Sequence, residues 1–161
     1  MPVEVLAEPL TCAAFAPFGT VIESLSKPGR VFFNDDLGSA RPRARFDLSL
    51  ARLEPMAALT LEATELERHE FSSQTFLPLD VGRYLVIVAP SAPDGGPSVA
   101  GARAFVADGR QGITYRRNTW HHGLKVLDRP AQFAVLMWCD GTSGDEEFRA
   151  LAQPFTVTVP G

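Results

Sequence analysis

The chain has 161 residues, 45% of them hydrophobic and 21% charged, a composition that buries one complete core without disulfides and lies far from that of disordered chains. Fifteen Lys and Arg against 19 Asp and Glu give a formal charge of -4, so the basic excess that nucleic-acid binding needs is missing. No apolar run reaches the roughly 18 residues of a membrane span, and Glu4 and Glu8 stand where a secretory leader would carry positive charge and then an apolar stretch. The expectation is one cytoplasmic domain over residues 1–161, with no membrane and no nucleic acid as partner.

In chain order, Thr11 to Ala16 reads as a short helix, because Thr11 can cap its amides and Pro17 stops it. Short apolar or alternating runs follow at Val21–Ile22, Val31–Phe33, Arg43–Leu50, Thr75–Leu79, Tyr84–Ala89, Ala102–Val106, Ile113–Tyr115, Gln132–Trp138 and Phe155–Val159. Turn-forming groups separate them, among them Lys27-Pro28-Gly29, Asp80-Val81-Gly82, Asp94-Gly95-Gly96, Asp108-Gly109 and Asp140-Gly141. Leu59 to Glu70 mixes alternation with helix-forming Glu65-Leu66-Glu67-Arg68, and a strand is favoured. Pro90–Gly101 reads as a flexible hairpin connection, and Asp145–Leu151 as a brief surface helix whose acidic residues suit a positive helix N-terminus. Many short strands at near-even spacing predict a mainly β sandwich or barrel with one or two short helices.

The three histidines fall in two compact clusters, Arg68-His69 followed by Gln74, and Asn118-Thr119-Trp120-His121-His122. Histidine moves protons near neutral pH and ligates divalent metals, so two separated clusters can converge on one site inside a barrel. Gln74, Phe76 and Pro78 share one strand face, which sets a polar amide beside an aromatic ring. Tyr115, Arg116, Arg117 and Asn118 lead hydrogen-bond donors into the second cluster. Adjacent histidines face opposite ways in a strand, and His121 is the one expected to point inward. Cys12 and Cys139 lack metal-ligand or redox spacing and read as small hydrophobes.

These motifs together resemble the ureidoglycolate lyase family: Leu66-Glu67-Arg68-His69, then Gln74, Phe76 and Pro78, then Gly112-Ile113-x-Tyr115 and Asn118-x-Trp120-His121-His122. The likeness extends to Phe15-x-Pro17-Phe18-Gly19-x-Val21-Ile22 and to Phe105-Val106 through Gly109, so it covers nearly the whole chain. It implies a cupin-type antiparallel β-barrel, a homodimer, a small-molecule substrate, and a place in allantoin degradation, where ureidoglycolate is split into glyoxylate and urea. It also implies a divalent metal, nickel being the one usually named. The sequence departs from the metal-binding cupin pattern, because aligning Gln74 with that pattern's glutamate leaves Arg68 and Glu70 where histidines belong.

Cleavage of such a hemiaminal needs a base for the hydroxyl proton, an acid for the departing nitrogen, and a clamp for the carboxylate. His121 or His69 is the expected base, and Arg68 or Arg116 the bidentate clamp. Gln74, Tyr115 and Asn118 are candidate donors to the ureido carbonyl or aldehyde oxygen, with Phe76, Trp120 and His122 completing the substrate pocket. If a metal is bound, His69, Gln74 and His121 are its expected ligands. Asn34 is a further candidate for the cavity of its own or a partner subunit. Two other readings share the barrel: a different small-acid cupin enzyme, such as a metal-dependent isomerase or dioxygenase, and a non-catalytic cupin that binds a small carboxylate.

Overall fold

A computed structural model describes residues 1–161 as two facing β-sheets with one short helix. In chain order the elements are β1 (Val3–Leu6), β2 (Glu8–Pro9), α1 (Cys12–Phe15), β3 (Gly19–Glu23), β4 (Arg45–Leu53), β5 (Thr60–His69), β6 (Gln74–Asp80), β7 (Tyr84–Ala89), β8 (Arg103–Ala107), β9 (Gln111–Tyr115), β10 (Trp120–His121), β11 (Lys125–Val126), β12 (Ala131–Cys139) and β13 (Glu146–Thr158). The larger sheet runs β1-β13-β5-β10-β7-β8-β2 with β11 also on β7, and the smaller runs β3-β9-β6-β12-β4. Pairing is antiparallel except for β1 with β13 and β2 with β8. The mainly β, barrel-shaped architecture expected from the spacing of the strands is the fold observed. No helix is long and apolar enough to cross a membrane.

Alternation along each strand decides which residues meet between the sheets. On β7 every residue is buried, because Tyr84, Val86 and Val88 face the barrel interior while Leu85, Ile87 and Ala89 face outward under other segments. The interior core gathers Val86 and Phe105 from the larger sheet with Ile113, Phe133 and Val135 from the smaller one. Each such side chain contributes on the order of 1.5–3 kcal/mol through burial. α1 forms where the composition predicts it, with Thr11 Oγ1 accepting from the Ala14 amide at 3.1 Å, and it delivers Phe15 into this core.

Two local expectations are corrected. Asp145–Leu151 is not a helix: residues from Glu146 onward belong to β13, where Phe148 pairs with Glu67 and Ala150 with Glu65 of β5. Tertiary pairing overrides the local helical composition there, and the Asp145 carboxylate accepts from the Phe71 amide at 2.7 Å instead of sitting in a helical turn. Val31–Phe33 forms no strand; Val31 and Phe32 are exposed in a long connection with no strand beside them. The Pro90–Gly101 connection does join an antiparallel pair, β7 and β8, and ends in a 3-10 turn at Val99–Gly101.

Candidate active site

The pleat of β5 sends Glu67 and His69 inward and Leu66 and Arg68 outward. β10 does the same with its two residues: His121 lies opposite both Glu67 and the inward Val88, whereas Trp120 lies opposite the outward Ala89. Gln74, the first residue of β6, pairs with Tyr115, the last of β9, on the facing sheet. Glu67, His69, Gln74, Tyr115 and His121 thus gather at one end of the barrel, beyond the packed core.

Within this group one ligand atom each from Glu67, His69 and His121 lies within 4.8 Å of the other two. His121 Nε2 is 3.5 Å from Glu67 Oε1, the two imidazole rings are 5.7 Å apart, and the Tyr115 ring stacks on His121 at 4.1 Å and 16°. His121 Nδ1 is 2.9 Å from the Thr119 carbonyl. A carbonyl only accepts, so Nδ1 donates to it and Nε2 is the ring nitrogen turned toward Glu67. His69 Nε2, His121 Nε2, Gln74 Oε1 and the Tyr115 hydroxyl are all buried without a hydrogen-bond partner. Each such orphan costs roughly 1–3 kcal/mol, so several of them pointing to one place indicate a ligand that satisfies them.

Burial and charge set the protonation of this group. Burial pushes the Glu67 carboxyl upward, but the close approach of His121, with His69 and His122 behind it, outweighs this and holds the group below the usual carboxylate value. Burial first, then the neighbouring His121, lowers His69 and keeps it neutral. Burial raises the Tyr115 hydroxyl well above its ordinary range. An ionised carboxylate beside two imidazoles is a donor set that suits a divalent cation. The residues present fit the metal that the motifs imply, with Glu67 rather than Gln74 as the oxygen donor; Gln74 instead points its amide nitrogen at Met137 Sδ, 3.4 Å away.

A cavity of about 230 Å³ opens beside these residues, lined by Glu65, Glu67, His121, His122, Gly123 and Phe148. His122 escapes strict alternation because the strand ends at His121, and it stands half-buried at this mouth. Its Nδ1 is 2.8 Å from the Gly123 carbonyl, which again fixes the proton on Nδ1 and leaves Nε2 free. Burial lowers its pKa ahead of every other influence.

The remaining candidates lie elsewhere. Arg68 is on the outer face of β5, paired with Glu147 at 2.6 Å, donating to Asn118 Oδ1 at 2.7 Å and covering the Trp120 ring at 4.6 Å. Trp120 is fully buried there and donates to the Gly95 carbonyl. Asn118 occupies a left-handed position, φ 67°, in the turn before β10. Arg116 is bound to Asp36 at 2.7 Å and to the carbonyls of Ala16 and Pro17. Phe76 packs edge-on against Tyr115 and Phe133 as part of the core wall. Asn34 is exposed, and its carbonyl accepts from Leu37 in a turn. Glu67 is the one member that the motif reading passed over, although its place two residues before His69 puts both on the same strand face.

A β-barrel with a carboxylate and two imidazoles sunk between its sheets defines an enzyme-type centre for a small polar molecule. The chain belongs to the ureidoglycolate lyase family, whose model matches residues 3–158. It is 34% identical over 160 residues to the ureidoglycolate lyase of Pseudomonas syringae pv. syringae, covering 93% of this chain and 92% of that one. It is 40% identical over 146 residues to that of Brucella ovis, covering 84% of each. Among solved structures, a dTDP sugar isomerase from Desulfovibrio desulfuricans G20 aligns with 84% of this chain and 83% of its own at 18% identity and a TM-score of 0.46, too distant a likeness to inform function.

Proposed function

We propose that the protein cleaves ureidoglycolate into glyoxylate and urea, with Glu67, His69 and His121 holding a divalent cation and His122 carrying the proton. The observation that carries the reading is the pair of buried, unpartnered imidazole nitrogens converging with Glu67 at the head of an open cavity, in a chain of this family. A cation held there supplies Lewis-acid stabilisation of negative charge developing on a substrate oxygen. The chain's own groups do the rest. His122 Nε2, free of other partners at the cavity mouth, takes the hydroxyl proton. The C–O electrons then form the aldehyde of glyoxylate, the C–N bond breaks, and the same proton passes from His122 to the departing urea nitrogen. No water is consumed, which suits a histidine that returns what it takes. Gln74 Oε1 and the Tyr115 hydroxyl are in reach of the ureido group as hydrogen-bonding partners, and stacking by Tyr115 fixes the plane of His121.

The reading extends to a homodimer formed across the outer face of the smaller sheet. Phe46, Leu48 and Leu50 on β4 and Leu79 on β6 alternate away from the interior and are 47–70% exposed, and the buried Trp138 Nε1 beside Phe46 has no acceptor. A face of this kind, self-complementary about a two-fold axis, suits a second copy of the chain.

The test is purified protein with ureidoglycolate, followed for urea and glyoxylate. Equal release of both, increased by a divalent metal and removed by a chelator, is the expected result. Release no faster than spontaneous decay, with or without metal, refutes the reading.

A further inference from the structure

One arginine in the molecule is buried far beyond what its partners justify. The side chain of Arg41 is 13% exposed, as deep as Arg68 at 12%. Arg68 is repaid by Glu147, Asn118, the Gly95 carbonyl and the Trp120 ring. The guanidinium of Arg41 has one ion-pair partner, Asp140, with Nη2 2.9 Å from Oδ1. That oxygen already accepts from the Thr142 amide at 2.9 Å and from the Thr142 hydroxyl at 2.6 Å. Arg41 Nε is buried with no partner at all. A guanidinium taken out of water in this state is costly unless an anion completes it.

Its location ties it to the histidine end of the barrel. The Ala40 amide donates to the Phe71 carbonyl at 2.8 Å, the Ser73 amide to the Gly38 carbonyl at 2.9 Å, the Gly38 amide to Ser73 Oγ at 3.0 Å, and the Ser39 and Ser72 hydroxyls lie 2.8 Å apart. Residues 38–41 are therefore fastened to the short connection that leaves His69 and enters Gln74. On the other side, the charge of Arg41 acts on Cys139, which follows the inward-facing Val135 and Met137 on β12 by the same alternation. Met137 is the residue that Gln74 touches. Arg68 and Arg116, the other candidate clamps, are committed elsewhere.

We infer that Arg41 is the carboxylate-binding residue of this site, with Asp140 holding its orientation and the unpartnered Nε offered to the acid group of a small 2-oxo or 2-hydroxy acid. The inference rests on the proposed substrate class, and anion affinity tests it independently of turnover. Inhibition of wild-type enzyme, Arg41→Ala and Arg41→Lys by glyoxylate and by urea, together with KM and kcat for ureidoglycolate, separates the cases. In Arg41→Ala, KM and the inhibition constant for glyoxylate are expected to rise on the order of 10- to 100-fold, the size of a lost charged hydrogen bond. The inhibition constant for neutral urea stays within about threefold on the same footing, and Arg41→Lys, which keeps the charge without the fork, falls between. Equal losses for glyoxylate and urea, or glyoxylate inhibition unchanged in Arg41→Ala, overturn the assignment. If the wild type does not cleave ureidoglycolate, calorimetric binding of glyoxylate and oxalate to wild type and Arg41→Lys decides alone: weakened binding upholds Arg41, and equal affinity rejects it.

Discussion

Glu67→Gln isolates what the carboxylate contributes to the centre. The substitution keeps shape and volume and removes one charge 3.5 Å from His121 Nε2, on a side chain only 19% exposed. Against a cation held by the group, a unit charge pair about 4 Å apart at an effective dielectric of about 20 is worth about 4 kcal/mol, and partial solvent screening reduces this to about 2–3 kcal/mol. The loss should appear as a divalent-metal affinity about 30- to 100-fold weaker, with kcat/KM falling at least as far. Stability should fall modestly, because the carboxyl is held below its ordinary value by His121 and the neutral amide loses that attraction. Calorimetric titration with nickel or manganese, urea-release kinetics and a denaturant midpoint measure the three quantities on one preparation. Glu65→Gln is the control: it lines the same cavity but lies outside the donor group, so it should change each quantity less than about threefold. Metal affinity and turnover that survive in Glu67→Gln, or that fall equally in Glu65→Gln, refute the role given to Glu67.

Arg68→Ala should cost about 1–3 kcal/mol of stability by denaturant unfolding, since it removes the Glu147, Asn118 and Trp120 contacts on the outer face and leaves Glu147 only Arg149, yet leave glyoxylate inhibition unchanged; a lost glyoxylate site would return the clamp to Arg68. Gly19→Ala should destabilise by on the order of 3 kcal/mol, because a methyl there would stand 1.9 Å from the Thr114 carbonyl oxygen and 3.0 Å from the Arg116 amide within the β3–β9 ladder; an unchanged urea midpoint counts against that packing. Leu48→Asp should convert dimer to monomer in light scattering, and a variant that still dimerises excludes this face as the interface. For the metal-free protein, His69 and His122 have pKa values held below 6.5 by burial, so the unfolded chain takes up protons first as the pH falls through that value. Stability is therefore full above pH 6.5 and declines below it, with Glu67, held under its own 4.5, adding a further loss in more acidic solution; a melting temperature flat from pH 7.5 to 5.5 would contradict the assigned shifts.

Most of the barrel was legible because turn residues punctuate strands whose apolar content is high, and the ambiguous Leu59–Glu70 segment resolves as β5 once β13 and β10 pair with its two edges. The short strands β1, β2, β10 and β11 carry too few residues to show a period, and they exist only through their partners. The Asp145–Leu151 error has the same origin in reverse, a helical composition with a strand waiting beside it.

The site was legible as two clusters but misread as two contiguous pairs. Neighbours in a strand diverge, so Arg68-His69 and Trp120-His121 cannot each act as one unit. The pleat splits both at once. Inside, His69 meets His121 with Glu67 beside them; outside, Arg68 lies over Trp120 and is locked to Glu147 across from it on β13. The two contacts are the two faces of one three-strand junction. The outer ion pair and cation–π contact fix β5 against β10 and β13 in the register that aligns Glu67 with His121. A one-residue slip would turn every inward ligand outward. Arg68, expected as the carboxylate clamp, and Trp120, expected as a wall of the pocket, thus support the centre from its outer face without touching it.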